Sequence, residues 1–126
     1  MIELILIDDD EFIRTSLRLL LREADFVVTG EAKTGEDGIA QVERLQPDVV
    51  CLDIQMPGMD GLATLQQLKS NWPDIAVLMI TSSSTRESVD RAMALGADGY
   101  IVKPFNADRI IKSIEAAHRK CKSASA

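Results

Sequence analysis

Several residue classes that mark particular kinds of protein are scarce in this chain of 126 residues. The two cysteines, Cys51 and Cys121, show neither a metal-binding spacing nor the pattern of a disulfide framework, as is typical of a reducing cytosol. His118 is the single histidine, which excludes catalytic histidine pairs and histidine-based metal clusters. No apolar run is long enough to cross a membrane, and the start, Met1-Ile2-Glu3, lacks the charged region of a signal peptide. We therefore expect a cytoplasmic protein with no membrane partner.

Basic residues are also fewer than acidic ones. The chain has 14 Lys and Arg against 20 Asp and Glu, a net charge of −6. Because nucleic-acid surfaces are normally basic, we expect no direct contact with nucleic acid. An acidic protein is better suited to binding cations or basic partners. The length predicts a single domain, and an apolar fraction of 46% is enough for a core.

The most informative stretch is the apolar run 49–52, which leads directly into Asp53. The run is too short for a buried helix and is rich in the β-branched residues of a buried strand. A loop with proline and glycine follows, and a new helix is predicted near Asp60. Asp53 is therefore expected at the carboxyl end of an interior strand, where open parallel sheets bind ligands.

Strand-like and helix-like segments alternate along the rest of the chain. Apolar residues recur at helical spacing between the strand-like runs, with Gly30 and Gly35 predicted to mark the exit from the second strand. Such alternation predicts a doubly wound parallel α/β sheet with helices on both faces. The predicted strands are residues 4–7, 26–29, 49–52, 75–80 and 100–102.

Polar residues follow four of the predicted strands. Asp8 and Asp9 follow the first, Asp53 the third, Thr81 the fourth and Lys103 the fifth. Parallel strands share a direction, so these side chains are expected at one edge of the sheet. Clustered carboxylates attract a hard cation such as Mg²⁺, and a lysine can neutralise them or contact a phosphoryl oxygen. An aspartate in this setting is a plausible nucleophile for phosphoryl transfer.

These pieces, taken in order, resemble a response-regulator receiver domain over essentially the full chain. The resemblance implies a flavodoxin-like (βα)5 fold with strand order 2-1-3-4-5, occupying residues 1–121, and 122–126 are expected to form a disordered tail. The matching residues are Asp8-Asp9, Asp53, Met56-Pro57-Gly58-Met59-Asp60-Gly61, Thr81 and Lys103-Pro104-Phe105.

The resemblance also implies a role for each matching residue. Asp53 would accept a phosphoryl group from a phosphohistidine on a sensor histidine kinase or a histidine phosphotransfer protein. Asp8, Asp9 and Asp53 would hold Mg²⁺ together with the backbone carbonyl of Gln55, and Lys103 would contact the phosphoryl oxygens. Such a protein is a switch that assists its own phosphorylation and dephosphorylation, and it is not an enzyme that acts on outside substrates.

The same resemblance implies how the switch is transmitted. Thr81 would bond to the new phosphate and Tyr100 would be the aromatic switch residue, with output through the surface of helix 4, strand 5 and helix 5. Gln55 and Ser83, two residues past Asp53 and Thr81, are expected to tune phosphate loss in a direction that the sequence leaves open. Asp10 has an alternative role as the N-cap of the first helix.

Four functional readings can be compared on the sequence. A stand-alone chemotaxis-type regulator and a receiver cut from a DNA-binding regulator both fit. A haloacid-dehalogenase phosphatase would carry Asp-x-Asp, but Gln55 replaces the second acid. A flavodoxin-like nucleotide binder would carry a glycine-rich phosphate loop after the first strand, where this chain has Asp8-Asp9-Asp10.

Overall fold

The computed structural model describes residues 1–125 and contains five strands and five helices in strict alternation. The strands are β1 (Glu3–Ile7), β2 (Val27–Ala32), β3 (Val49–Leu52), β4 (Ala76–Thr81) and β5 (Gly99–Val102). The helices are α1 (Glu11–Glu23), α2 (Gly35–Leu45), α3 (Gly61–Asn71), α4 (Arg86–Ala94) and α5 (Ala107–Ser125). Among the described residues no helix is both long and apolar enough to cross a bilayer.

All neighbouring strands pair in parallel in the order β2-β1-β3-β4-β5, which confirms the predicted strand order. Alternate residues of each central strand contribute to two separate hydrophobic clusters, as the two-residue strand period requires. The first cluster packs beneath α2, α3 and α4, and the second packs beneath α1 and α5. The fold is therefore the doubly wound α/β architecture that the alternating segments predicted.

β3 lies between β1 and β4, and all its residues are buried. A strand covered on both faces needs no polar alternation, which explains the continuous apolar run before Asp53. The backbone ladder continues one residue beyond the strand, since the Asp53 N–H donates to the carbonyl of Ile7 at 3.0 Å. Asp53 is thus fixed at the carboxyl edge of the sheet.

The second strand corrects one prediction. Gly30 does not mark its exit, because β2 extends through Gly30 to Ala32, and Gly30 pairs with Ile5 after a register shift. A Cβ on Gly30 would lie 2.3 Å from Oε1 of Gln41, so the glycine admits close packing of α2 against the edge strand. Gly35 lies within α2, whose N-cap is Thr34.

The first and third helices begin where the sequence predicted, each with an aspartate as N-cap. Asp10 caps α1 by accepting from the backbone N–H groups of Phe12 and Ile13, and Asp60 caps α3 by accepting from that of Ala63. α5 continues through residues 122–125, where the sequence predicted a disordered tail. Ala126 lies outside the described residues.

Gly61→Ala tests how tightly α3 packs behind the Asp53 backbone. An added Cβ would lie 2.0 Å from the Asp53 carbonyl oxygen and 2.5 Å from the Ile54 Cα, and neither backbone atom can rotate away. Overpacking costs about 1–3 kcal/mol, which exceeds the gain of about 1 kcal/mol in helix propensity. We expect a lower free energy of unfolding in urea. Ser70→Ala, on the exposed end of α3, is the control and should be neutral or stabilising; a stable Gly61→Ala protein would contradict the packing argument.

Candidate functional site

The carboxyl ends of β1, β3, β4 and β5 bring four of the predicted side chains to one edge of the sheet. Asp8 and Asp53 directly follow their strands, Thr81 is the last residue of β4, and Lys103 follows β5. Backbone hydrogen bonds extend the ladder into these positions: the N–H of Asp8 donates to the Ala32 carbonyl at 3.0 Å, and that of Lys103 donates to the Thr81 carbonyl at 2.8 Å. The strands themselves therefore set the spacing of the site.

A half-buried lysine lies between two buried carboxylates. The Lys103 Nζ contacts Oδ2 of Asp8 at 2.8 Å and Oδ2 of Asp53 at 3.3 Å. Asp8 is 4% exposed and Asp53 6%, so little water screens these charges. The lysine therefore compensates two carboxylates that would otherwise repel each other at close range.

Burial and ion pairing shift the pKa values of Asp8 and Lys103 in opposite directions. Burial raises the pKa of Asp8, as does the Asp53 charge, and the hydrogen bonds from Lys103 and from the Asp10 N–H offset this only in part. Burial alone would lower the pKa of Lys103, but its hydrogen bonds and charge interactions with Asp8 and Asp53 raise it above the ordinary value. Lys103 is consequently charged at neutral pH.

Asp9 completes a cluster of three carboxylates. One oxygen of each of Asp8, Asp9 and Asp53 lies within 4.8 Å of the others, and Asp9 is the exposed member. Asp53 Oδ1 is buried without a hydrogen-bond partner among the described residues. An unpaired buried oxygen is costly, which makes it the natural point for an added cation or electrophile. An all-oxygen, partly open donor set of this kind fits Mg²⁺.

Thr81 and Tyr100 both form hydrogen bonds with Ser83. Thr81 is fully buried, and its Oγ1 accepts a hydrogen bond from the Ser83 N–H at 3.3 Å. The Tyr100 hydroxyl donates to the Ser83 carbonyl at 2.7 Å. Burial raises the pKa of Tyr100, as does the charge of Asp53, whereas the bond to Ser83 acts in the opposite direction. The two predicted switch residues are thus linked through one loop residue.

The loop after β4 is also tied to α4 and to Gln55. Ser83 Oγ donates to Ser88 Oγ at 2.8 Å, so the loop is connected to the first turn of α4. Ser82 Oγ donates to the side-chain Oε1 of Gln55 at 3.4 Å. The side chain of Gln55 is therefore turned toward this loop, and its backbone carbonyl as a metal ligand remains a prediction.

The sequence reasoning missed Arg14. Its Nη1 donates to the backbone carbonyl of Asp8 at 2.6 Å, and its Nε donates to Oε1 of Glu31 at 3.3 Å. The one available signal was an arginine on the α1 face between the apolar residues Ile13 and Leu17. That signal does not identify a contact with Asp8, because the partner strand β2 is brought there only by the sheet order.

Lys103→Met tests the compensation of the buried carboxylates. Removing one partner of a buried ion pair costs about 3–5 kcal/mol, so we expect a loss of this order in the free energy of unfolding at pH 7. Burial raises the pKa of Asp8, and without the lysine this carboxyl gains stability by taking up a proton, so the deficit relative to wild type should shrink as the pH falls toward about 4.

Lys112→Met is the matched control for that experiment. It removes the same charge from an exposed pair with Asp108, and it should change stability by less than about 0.5 kcal/mol. Equal losses in the two variants, or a deficit independent of pH, would contradict compensation at Lys103.

Comparisons with known proteins agree with this geometry. The family model of the response regulator receiver domain matches residues 4–115. The chemotaxis protein CheY of Listeria monocytogenes is 38% identical over 117 residues, covering 93% of this chain and 98% of that protein. The nitrate/nitrite response regulator NarL of Escherichia coli is 38% identical over 115 residues, covering 90% of this chain and 53% of that protein.

A solved structure extends the likeness to three dimensions. The structure of a CheX–CheY complex with BeF3 and Mg²⁺ from Borrelia burgdorferi is 25% identical, with a TM-score of 0.88 over 91% of this chain and 87% of that one. The chain spans nearly all of the CheY relative and about half of NarL. This chain therefore belongs to the response regulator receiver domain family, the signalling module of two-component systems.

Proposed function

We propose that the chain is a phosphorylation-controlled switch whose phosphoacceptor is Asp53. The observation that carries the proposal is the state of its carboxylate: Oδ2 binds Lys103 at 3.3 Å, while the buried Oδ1 has no partner among the described residues. An oxygen held in this way, beside a fixed cation, is ready to attack phosphorus. The donor would be a phosphohistidine on a sensor histidine kinase or a histidine phosphotransfer protein.

The transfer step conserves charge and atoms. Asp53 Oδ1 forms the new O–P bond as the P–N bond of the donor phosphohistidine breaks, and the electron pair of that bond returns to the imidazole. Lys103, already raised in pKa and charged, stabilises the phosphoryl oxygens by charge-assisted hydrogen bonding. Catalysis of this kind depends mainly on positioning and charge neutralisation.

Mg²⁺ is the cation that this donor set fits. Asp8, Asp9 and Asp53 would hold it, with the Gln55 backbone carbonyl as a further ligand. When bound, the ion neutralises charge on the carboxylates and on the incoming phosphoryl group. The exposed position of Asp9 leaves the cluster open toward solvent, so the phosphodonor can approach from that side.

The surface of α4, β5 and α5 is proposed to change on phosphorylation and to bind the output partner. A phosphoryl group on Asp53 adds negative charge and acceptor oxygens, and Thr81, on the adjacent strand, can donate its hydroxyl to it. That movement would disturb the bond from the Ser83 N–H to Thr81 Oγ1, and with it the carbonyl that Tyr100 holds. Ser83 also contacts Ser88, so the displacement would reach α4.

A second candidate function keeps the same site but changes the output. The NarL comparison, in which this chain matches about half of a longer regulator, favours a receiver attached to a further domain, which would be a DNA-binding domain in this second candidate. The CheY comparison, with nearly complete coverage of both proteins, favours a stand-alone regulator that binds a partner protein. Sequencing the complete gene separates the two. An attached DNA-binding domain would support the second candidate, and a stop codon after residue 126 would support the first.

Labelling with acetyl phosphate tests the phosphoacceptor. In the presence of Mg²⁺ we expect one added phosphoryl group, located on Asp53 by mass spectrometry, and no labelling of Asp53→Asn or of wild type in EDTA. Asp60→Asn is the matched control because asparagine also caps helices well and the change lies in the same loop. Labelling of Asp53→Asn at the wild-type level would overturn the assignment.

Binding of beryllofluoride tests the proposed output route. Backbone NMR shifts should spread from Asp53 to α4 in wild type and stay near Asp53 in Thr81→Ala, since that variant lacks the hydroxyl that would follow the phosphoryl group. Ser82→Ala is the control, because Ser82 contacts Gln55 and should leave the spread to α4 intact. Changes confined to the Asp53 loop in wild type would show that the coupling is absent.

A further inference from the structure

Asp8 is held at every polar group. Its N–H donates to the Ala32 carbonyl at 3.0 Å, its Oδ1 accepts from the Asp10 N–H at 2.9 Å, and its Oδ2 accepts from Lys103 at 2.8 Å. Its backbone carbonyl is bound by the Arg14 Nη1 at 2.6 Å. Through this contact the Arg14 side chain binds the peptide group that joins Asp8 to Asp9.

That peptide group controls where Asp9 points. A peptide unit is planar, so fixing the Asp8 carbonyl also fixes the orientation of the Asp9 N–H and limits the Asp9 backbone. The Asp9 side chain is exposed and makes no hydrogen bond within the described part of the chain. Its position in the carboxylate cluster therefore depends on its backbone, and the Arg14 contact restrains that backbone directly.

Arg14 is itself firmly placed. Its side chain is 13% exposed, and its Nε donates to Glu31 on β2. Glu31 is further restrained because its other carboxylate oxygen pairs with Arg18 and its backbone carbonyl accepts from Gln41 Nε2 at 2.7 Å. The guanidinium therefore connects the edge strand to the loop that carries the acids, with its planar fork serving both.

We infer that Arg14 is a positioning residue that aligns Asp8 and Asp9 for divalent cation binding. The inference rests on the proposed function, because it concerns the same carboxylate cluster. It goes beyond that function by assigning a role to a residue that would touch neither the cation nor the phosphoryl group.

Charge and positioning predict opposite results when Arg14 is removed. Deleting a positive charge near three carboxylates makes the local electrostatic potential more negative, which should tighten Mg²⁺ binding. Losing the restraint on the Asp8–Asp9 peptide should weaken it, because the acids must then be ordered when the ion binds. The direction of the change in affinity therefore separates the two roles.

The test is an NMR titration with Mg²⁺ that follows the Asp9 and Asp53 amides. Arg18→Ala is the matched control, since it removes an equal charge and another ion pair with Glu31 but leaves the Asp8 carbonyl bound. We expect Arg14→Ala to weaken Mg²⁺ binding at least about threefold, below the roughly 10–100-fold typical of groups bonded directly to metal ligands. Arg18→Ala should stay within about twofold, as expected for a residue with no contact to the cluster.

Arg14→Lys keeps a charge and a donor but loses the planar guanidinium that contacts Glu31 and the Asp8 carbonyl together. We expect this variant to bind Mg²⁺ at least about twofold more weakly than wild type. It also keeps the inference testable if Arg14→Ala fails to fold. Unchanged or tighter binding in the Arg14 variants, or equal weakening in Arg18→Ala, would overturn the inference. Absence of Mg²⁺ binding to wild type would instead overturn the proposed function. Urea unfolding in EDTA checks that Arg14→Lys and Arg18→Ala are comparably stable, so that a difference in affinity is not a difference in folding.

Discussion

The contact of Lys103 with Asp8 and Asp53 is the interaction on which the rest of the site depends. Two carboxylates, each less than a tenth exposed, share one ammonium group at 2.8 and 3.3 Å. Burial of charge is costly unless it is paired, so the lysine permits the acids to lie below the surface. The compensation is incomplete, because Asp53 Oδ1 has no hydrogen-bond partner in the part of the chain that the structure describes, and Asp9 adds a further carboxylate. This remaining imbalance is the physical basis of the proposed binding of a cation and of a phosphoryl group.

The backbone at Asp8 and Asp53 is held by contacts from neighbouring strands and helices. Asp53 is fixed by the bond to the Ile7 carbonyl, and Gly61 brings α3 against its carbonyl where no Cβ fits. Asp8 is held through its backbone by Ala32 and Arg14. These supports come from the sheet and from the first turns of α1 and α3, and they fix the backbone at Asp8 and Asp53. A site prepared in this way spends little binding energy on ordering its ligands.

The loop between Thr81 and α4, through which the proposed output would pass, is held less firmly than the acids. The loop that begins after Thr81 is held by side-chain hydrogen bonds, which are individually worth about 0.5–1.5 kcal/mol. The Ser83 N–H donates to Thr81, its carbonyl accepts from Tyr100, and its hydroxyl donates to Ser88. Under the proposed function, a local change at Asp53 would rearrange this loop while the two hydrophobic clusters remain packed. Rigid acids and an adjustable loop are the combination that a two-state switch requires.

The sequence by itself determined the fold class and the gathering of Asp8, Asp53, Thr81 and Lys103 at strand ends, because apolar periodicity marks each strand and parallel strands share a direction. The strand order was predicted from the family resemblance alone. It misplaced the end of the second strand at Gly30, since a glycine in a strand and a glycine in a turn look alike until α2 is packed over it. Only the tertiary structure decided that Lys103 lies between two acids, that Ser83 joins Thr81 to Tyr100, and that Arg14 reaches the Asp8 carbonyl. Each of these contacts joins side chains and backbone groups that no local pattern relates, so it exists only once the sheet order has placed its strands and loops side by side.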